Sequence, residues 1–168
     1  MPLFDLPMVP KNGRLRLEDA TSGTPIAIEV QYDEGNLEHG EMAAGYQDTE
    51  FFRSRGVEFA VVETGEHEGL EATFSAYVTD FGDATEKTLI DACMKTGAFA
   101  SGVSVFGANR PWGLKATYTQ EQTNYGAGAD SSLVFAKVRL SYSFAESGAG
   151  RIVIRMRIFN PSSTITRA

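Results

Sequence analysis

Arg151-Ile152-Val153-Ile154-Arg155-Met156-Arg157-Ile158 is the stretch from which the fold can be read. Ile152, Ile154, Met156 and Ile158 recur at every second position, with Arg151, Val153, Arg155 and Arg157 between them. Successive side chains of an extended chain point to opposite faces, so this run has one apolar face and one largely cationic face. A helix would scatter the same four apolar residues around its circumference. The stretch therefore reads as a half-buried strand.

The same period recurs elsewhere. Leu70, Ala72, Phe74, Ala76 and Val78 alternate with Glu71, Thr73, Ser75, Tyr77 and Thr79. Ile26, Ile28, Val30 and Tyr32 alternate with Ala27, Glu29 and Gln31, and Leu15 and Leu17 with Arg14, Arg16 and Glu18. Less regular strands are predicted at 57–63, 114–121 and 133–144. In the last, Val134, Ala136, Val138, Leu140, Tyr142 and Phe144 are expected to share a face. Seven strands parted by Gly, Asn, Asp and Ser turns predict a mainly β chain, a single-domain β-sandwich or partial barrel. That domain is expected over 13–160. A proline-bearing extended arm (1–12, with Pro2, Pro7 and Pro10) precedes it, and a short polar tail (161–168) follows.

One helix is predicted to flank the sheet, at about 84–96. Asp83 and Glu86 are spaced as a capping-box-like pair. Leu89 with Cys93, and Ile90 with Met94, form an apolar stripe. Lys95 suits the negative C-terminal end, and Gly97 suits a left-handed stop. Residues 33–56 fit neither period and read as a long acidic loop carrying Tyr46, Phe51 and Phe52. A loop of that length in a compact domain is commonly functional. Its phenylalanines could equally cover an edge of the core.

The 168 residues carry 15 Lys/Arg and 22 Asp/Glu, a formal charge of −7. This argues against a chain built mainly to grip nucleic acid. The charge is unevenly spread. Residues 1–84 hold 5 Lys/Arg and 17 Asp/Glu, a net of −12, and residues 85–168 hold 10 and 5, a net of +5. The two halves could neutralise each other within one subunit. They could also present unlike patches to identical neighbours, and such head-to-tail contacts build rings or filaments. A single cysteine, Cys93, excludes an internal disulfide. No apolar run is long enough to span a membrane, and Met1-Pro2-Leu3-Phe4-Asp5 lacks the basic start of a signal peptide, so synthesis in the cytosol is expected.

Motifs of chemistry are scarce. Asp33/Glu34 and Glu66/Glu68 read as solvated turns. His39 and His67 lie among glutamates but without the spacing of metal ligands. Gly126-Ala127-Gly128-Ala129-Asp130 and Gly148-Ala149-Gly150-Arg151 open no helix that would cradle a phosphate, and read as hairpin turns. Ser101 and Ser104 have no accompanying histidine and acid pattern, and Cys93 reads as a core thiol. No catalytic, cofactor-binding or metal-binding residue is assigned, and a non-enzymatic role is expected.

Two segments carry a family resemblance. Pro25-Ile26-Ala27-Ile28-Glu29-Val30-Gln31-Tyr32-Asp33-Glu34-Gly35-Asn36-Leu37 resembles the early strand and acidic turn of major tail tube proteins of long-tailed, siphovirus-like bacteriophages. Thr73-Phe74-Ser75-Ala76-Tyr77-Val78-Thr79-Asp80, followed by Asp83-Ala84-Thr85-Glu86-Lys87-Thr88-Leu89 and Gly97-Ala98-Phe99-Ala100-Ser101, is similar to a later segment of that family. The resemblance spans roughly 12–160, with its specific matches at 25–37 and 70–105. It implies a tail-tube fold, a β-sandwich with a flanking helix. The implied assembly is a stack of hexameric rings forming the conduit for genome delivery. Implied partners are other copies of the chain, a tube initiator and terminator, and a tape measure protein and double-stranded DNA as cargo in the lumen. No membrane partner is implied. The implied location is the virion tail, assembled in the host bacterial cytoplasm.

On that reading a bore must be wet yet not adhesive to phosphate. Glu29, Gln31, Glu71, Thr73 and Ser75 are then candidates to face the lumen. Tyr46, Glu50, Phe51, Phe52, Arg53 and Arg55 of the loop are candidates for intersubunit or inter-ring contact. Arg151, Arg155 and Arg157 join them, set against acids of the same or a neighbouring subunit. Other readings stay open. These are a tube-initiator or distal-tail subunit, a phage-like secretion tube subunit, and a carbohydrate-binding β-sandwich stacking sugars on Tyr46, Tyr77, Trp112 and Tyr125.

Overall fold

A computed structural model describes residues 13–30, 37–39, 49–54, 57–63, 70–78, 81, 85–120, 131–144, 150–159 and 164–167. Ten strands form among them: β1 (Gly13–Glu18), β2 (Ala27–Val30), β3 (Glu38–His39), β4 (Thr49–Ser54), β5 (Val57–Glu63), β6 (Leu70–Tyr77), β7 (Leu114–Gln120), β8 (Ser131–Phe144), β9 (Arg151–Ile158) and β10 (Thr164–Arg167). One helix, α1 (Leu89–Met94), and a 3₁₀ turn at Gly97–Phe99 lie between β6 and β7. The chain is mainly β with one short helix, as its alternation predicts.

Eight strands hydrogen-bond into one antiparallel sheet in the order β2-β1-β7-β8-β9-β6-β3, with β10 also on β8. The sheet curls into an open half-barrel. Of the two forms expected, the partial barrel is the one observed. The β4–β5 hairpin forms its own two-stranded sheet.

Alternation becomes burial. On β9 every even residue from Ile152 to Ile158 is buried and every odd one is exposed. Its partner β6 buries Ala72, Phe74 and Ala76, in register with Met156, Ile154 and Ile152. Leu15 and Leu17 of β1, Leu114 and Ala116 of β7, and Phe135 and Val138 of β8 complete the sheet side of the core. Burying each large aliphatic or aromatic side chain contributes roughly 1.5–3 kcal/mol. Leu89, Ile90 and Ala92 of α1 and Phe99 of the 3₁₀ turn cover this face. The Trp112 indole N–H ties the loop before β7 to α1 by donating to the Ala92 carbonyl at 2.7 Å.

Three expectations need correction. The helix spans 89–94, not 84–96, and its N-cap is Thr88. Thr88 Oγ accepts the Asp91 N–H at 3.1 Å while its hydroxyl donates to the Asp91 carboxylate at 2.8 Å. That reciprocal pair starts the helix later than the Asp83–Glu86 spacing suggests; Asp83 itself lies outside the described residues. Lys95, at φ 58°, takes the left-handed stop, with Gly97 also at positive φ. Met94, the last residue of the helix, is exposed and so does not share the expected apolar stripe.

The segment 33–56 is not one long loop. Glu38–His39 pairs with β6, and Thr49–Ser54 is a strand on β5 with a bulge between Phe52 and Arg53. Strong β-formers (Thr49, Phe51, Phe52) make that strand despite its weak alternation.

In β8, Val134 and Ala136 do not share a face with Val138. Leu114 opposes Val138 while Ala116 opposes Phe135, so β8 carries an extra residue there. This bulge shifts the phase. Phe135 is buried on one side of it and Val138 on the other, leaving Ala136 and Lys137 exposed.

Candidate functional site

The outward face of β6, β9 and β8 collects most of the singled-out charged residues. Cross-strand register places Glu71, Arg157 and Arg139 in one row. Thr73, Arg155 and Ser141 form the next, followed by Ser75, Val153 and Ser143, while Tyr77 opposes Arg151. The Glu71 carboxylate lies 4.0 Å from Arg155 Nε. Arg151 donates from Nη2 to the Tyr77 hydroxyl at 3.1 Å and sits 5.1 Å above its ring. Arg157 lies 5.8 Å over Phe159. So Glu71, Thr73 and Ser75, expected at a lumen, share a face with Arg151, Arg155 and Arg157, expected at a contact. The face is mixed, with a cationic excess.

Glu29 is separate. It is exposed on β2, the terminal strand of the sheet, which pairs with β1 alone among the described residues. It borders a cleft of about 160 Å³ that Tyr77, Lys87 and Thr88 also line. Glu50, Phe51, Phe52 and Arg53 belong to β4, opposite Val62, Val61, Ala60 and Glu58 of β5. Gln31, Tyr46 and Arg55 lie outside the described residues, as does Tyr125 of the expected sugar platform. Trp112 of that platform serves the fold. Its N–H is bound to α1, Phe99 meets it edge-on at 6.4 Å, and Lys95 lies 5.2 Å above it.

One cleft has no counterpart in the sequence patterns. Where β8 bulges at Ala136–Lys137, β9 ends at Ile158 and β10 takes over the same edge of β8 from Thr164. The Phe159 N–H donates to the Lys137 carbonyl at 2.8 Å across this junction. A cleft of about 380 Å³ opens there, lined by Phe106, Arg110, Pro111, Lys137, Arg139 and Phe159. Phe106 and Phe159 meet edge-to-face at 5.3 Å and 87°. The loop wall is pinned by Ser104, whose Oγ donates to the Pro111 carbonyl at 2.7 Å and accepts the Phe106 N–H at 3.2 Å. Gly113 makes room for the Phe106 ring, because a Cβ there would overlap it. In sequence, only the spacing of Lys137 and Arg139 hints at this site; Phe106 and Arg110 reach it from a loop.

Two buried carboxylates serve the fold. Asp19 accepts the backbone N–H groups of Ile26 at 2.7 Å, Val103 at 2.9 Å and Thr21 at 3.2 Å, and also the Thr21 hydroxyl. Burial alone would raise its pKa, but these donors together hold it below the ordinary carboxylate range. Asp91 accepts the hydroxyls of Thr88 and Thr96. Burial pushes the Cys93 thiol up to about 12, leaving little thiolate for chemistry. No group of three His, Cys, Asp or Glu side chains gathers as a metal site among the described residues. No described helix is long and apolar enough to cross a membrane.

The chain matches no family model, and no curated protein or solved structure matches it significantly.

Proposed function

We propose that this chain is a structural, non-catalytic subunit of a phage-type tail tube, assembling as stacked hexameric rings around a conduit for double-stranded DNA. The observation that carries the reading is the open half-barrel, whose terminal strand β2 pairs with β1 alone among the described residues. An unpaired edge is a template for another chain, and a ring of copies can satisfy it. The sequence resemblance at 25–37 and 70–105 supports the same reading, as does the charge contrast between the two halves of the chain. Its partners would be further copies, a tube initiator and terminator, and a tape measure protein with DNA as cargo. Its place would be the virion tail, assembled in the bacterial cytoplasm.

The mixed outer face bears on which residues meet the cargo. A row of arginines toward the bore would hold DNA through phosphate contacts and slow its passage. On this reading the bore falls to β2, which carries Glu29. Glu71, Thr73 and Ser75 go with Arg151, Arg155 and Arg157 to the contact between subunits.

Negative-stain microscopy of concentrated protein tests the reading. Hexameric rings or long hollow filaments are expected. A protein that stays monomeric at every concentration and ionic strength overturns it.

A further inference from the structure

We propose that the Phe106–Phe159 cleft receives an acidic segment of a second copy of this chain. The proposal rests on the assembly reading above and names the partner chemistry of one contact. Arg110, Lys137 and Arg139 line the cleft, and Arg157 stands over the Phe159 ring at its margin. None of the four forms an ion pair among the described residues. Arg139 and Arg157 are moreover directly opposed across β8 and β9. Glu71 opposes Arg157 from β6, so the row holds two cations to one carboxylate, and like charges placed opposite each other, as Arg139 is to Arg157, destabilise a sheet.

An arriving carboxylate offsets that cationic excess and gains charge-assisted hydrogen bonds from Arg or Lys. The aromatic pair and Pro111 supply an apolar surface for the stem of the incoming side chain. The site is also prearranged. The β8 bulge sets Lys137 outward, and Ser104 and Gly113 fix the loop that brings Phe106 and Arg110. Little ordering is then left to oppose binding.

Charge complementarity selects the occupant. The four cations lie in the half of the chain with net +5, and the other half carries 17 Asp/Glu against 5 Lys/Arg. Identical copies therefore bring abundant carboxylates at the same concentration as the cleft. A cleft on one surface engaging acids on another is a heterologous contact, the kind that builds rings or filaments.

Zero-length carbodiimide coupling of a mixture of isotope-labelled and unlabelled protein tests this directly. Peptides joining Lys137 to an Asp or Glu of the other isotope are expected in the assembled fraction. The double variant Lys137→Glu/Arg139→Glu, and independently Arg110→Glu on the loop, should weaken self-association about tenfold or more by sedimentation. Unchanged circular dichroism and thermal midpoint would show that each variant still folds. If wild type assembles and Lys137 couples only within its own copy, the docking proposal fails while the assembly reading stands. Variants that assemble like wild type overturn the docking proposal in the same way, and so does saturation of the cleft by inorganic phosphate without effect on assembly. A wild-type chain that never self-associates overturns both.

Discussion

The Asp19 carboxylate accepts the Val103 backbone N–H at 2.9 Å, joining positions 84 residues apart in the chain. The same side chain takes the Ile26 N–H at 2.7 Å. One buried carboxylate thus fastens the turn after β1, the start of β2 and the segment following the 3₁₀ turn. Asp19→Ala strands these donors, at roughly 1–3 kcal/mol for each one left unpaired. Urea unfolding should show a lower midpoint with little change in slope. Asp19→Asn keeps one acceptor oxygen and should lose less. An Ala variant as stable as wild type would remove Asp19 from this role.

Acid should find the same place. Asp19 is held below its ordinary pKa by its donors. Glu18 is lowered too, chiefly by the Lys115 hydrogen bond at 2.6 Å, with Arg16 adding to it. The unfolded chain therefore binds more protons than the folded one as pH falls. Stability from these groups is complete above the unfolded values near about 4 and is lost as pH drops through the lower folded values. Urea midpoints taken from about pH 6 downward should decline along that limb. In Asp19→Asn, starting lower, the decline should be shallower.

Cys93 should be a slow thiol. A pKa pushed up to about 12 from an ordinary 9.0 leaves on the order of a thousandfold less thiolate at neutral pH. Iodoacetamide should modify native protein far more slowly than urea-unfolded protein. Equal rates would mean that the thiol is exposed and reactive.

Gly113→Ala should disturb the cationic cleft from beneath. Its Cβ would overlap the Phe106 ring and fall 2.9 Å from the Val138 carbonyl oxygen. The ring can swing aside, but the β8 backbone cannot, so a loss of about 1–3 kcal/mol is expected. Trp112 adjoins the site, and a shift in its fluorescence should accompany the loss. An unperturbed spectrum and midpoint would show that the loop yields freely.

What can be read from the chain in advance is local. Period two along Leu70–Tyr77 and Arg151–Ile158 reveals both the strands and their buried faces, because side-chain direction in an extended chain depends only on residue parity. Parity fails wherever the backbone adds a residue. The β8 bulge therefore puts Phe135 in the core where alternation places Val134 and Ala136. The helix start escapes a local reading because Asp83–Glu86 and Thr88–Asp91 both have capping spacing, and hydrogen bonding selects Thr88.

Spacing and composition alone were enough for a mainly β chain with one helix, the separation of charge between its halves and a solitary thiol. Which faces meet was settled by tertiary packing. Glu71 became a neighbour of Arg155, and Arg139 was set opposite Arg157. Phe106 and Arg110 came from a loop to the place where β8 bulges and β9 ends. Strand register and loop closure join residues across long stretches of chain, and the free energy that fixes them is shared over the whole packed sheet. No local pattern contains it.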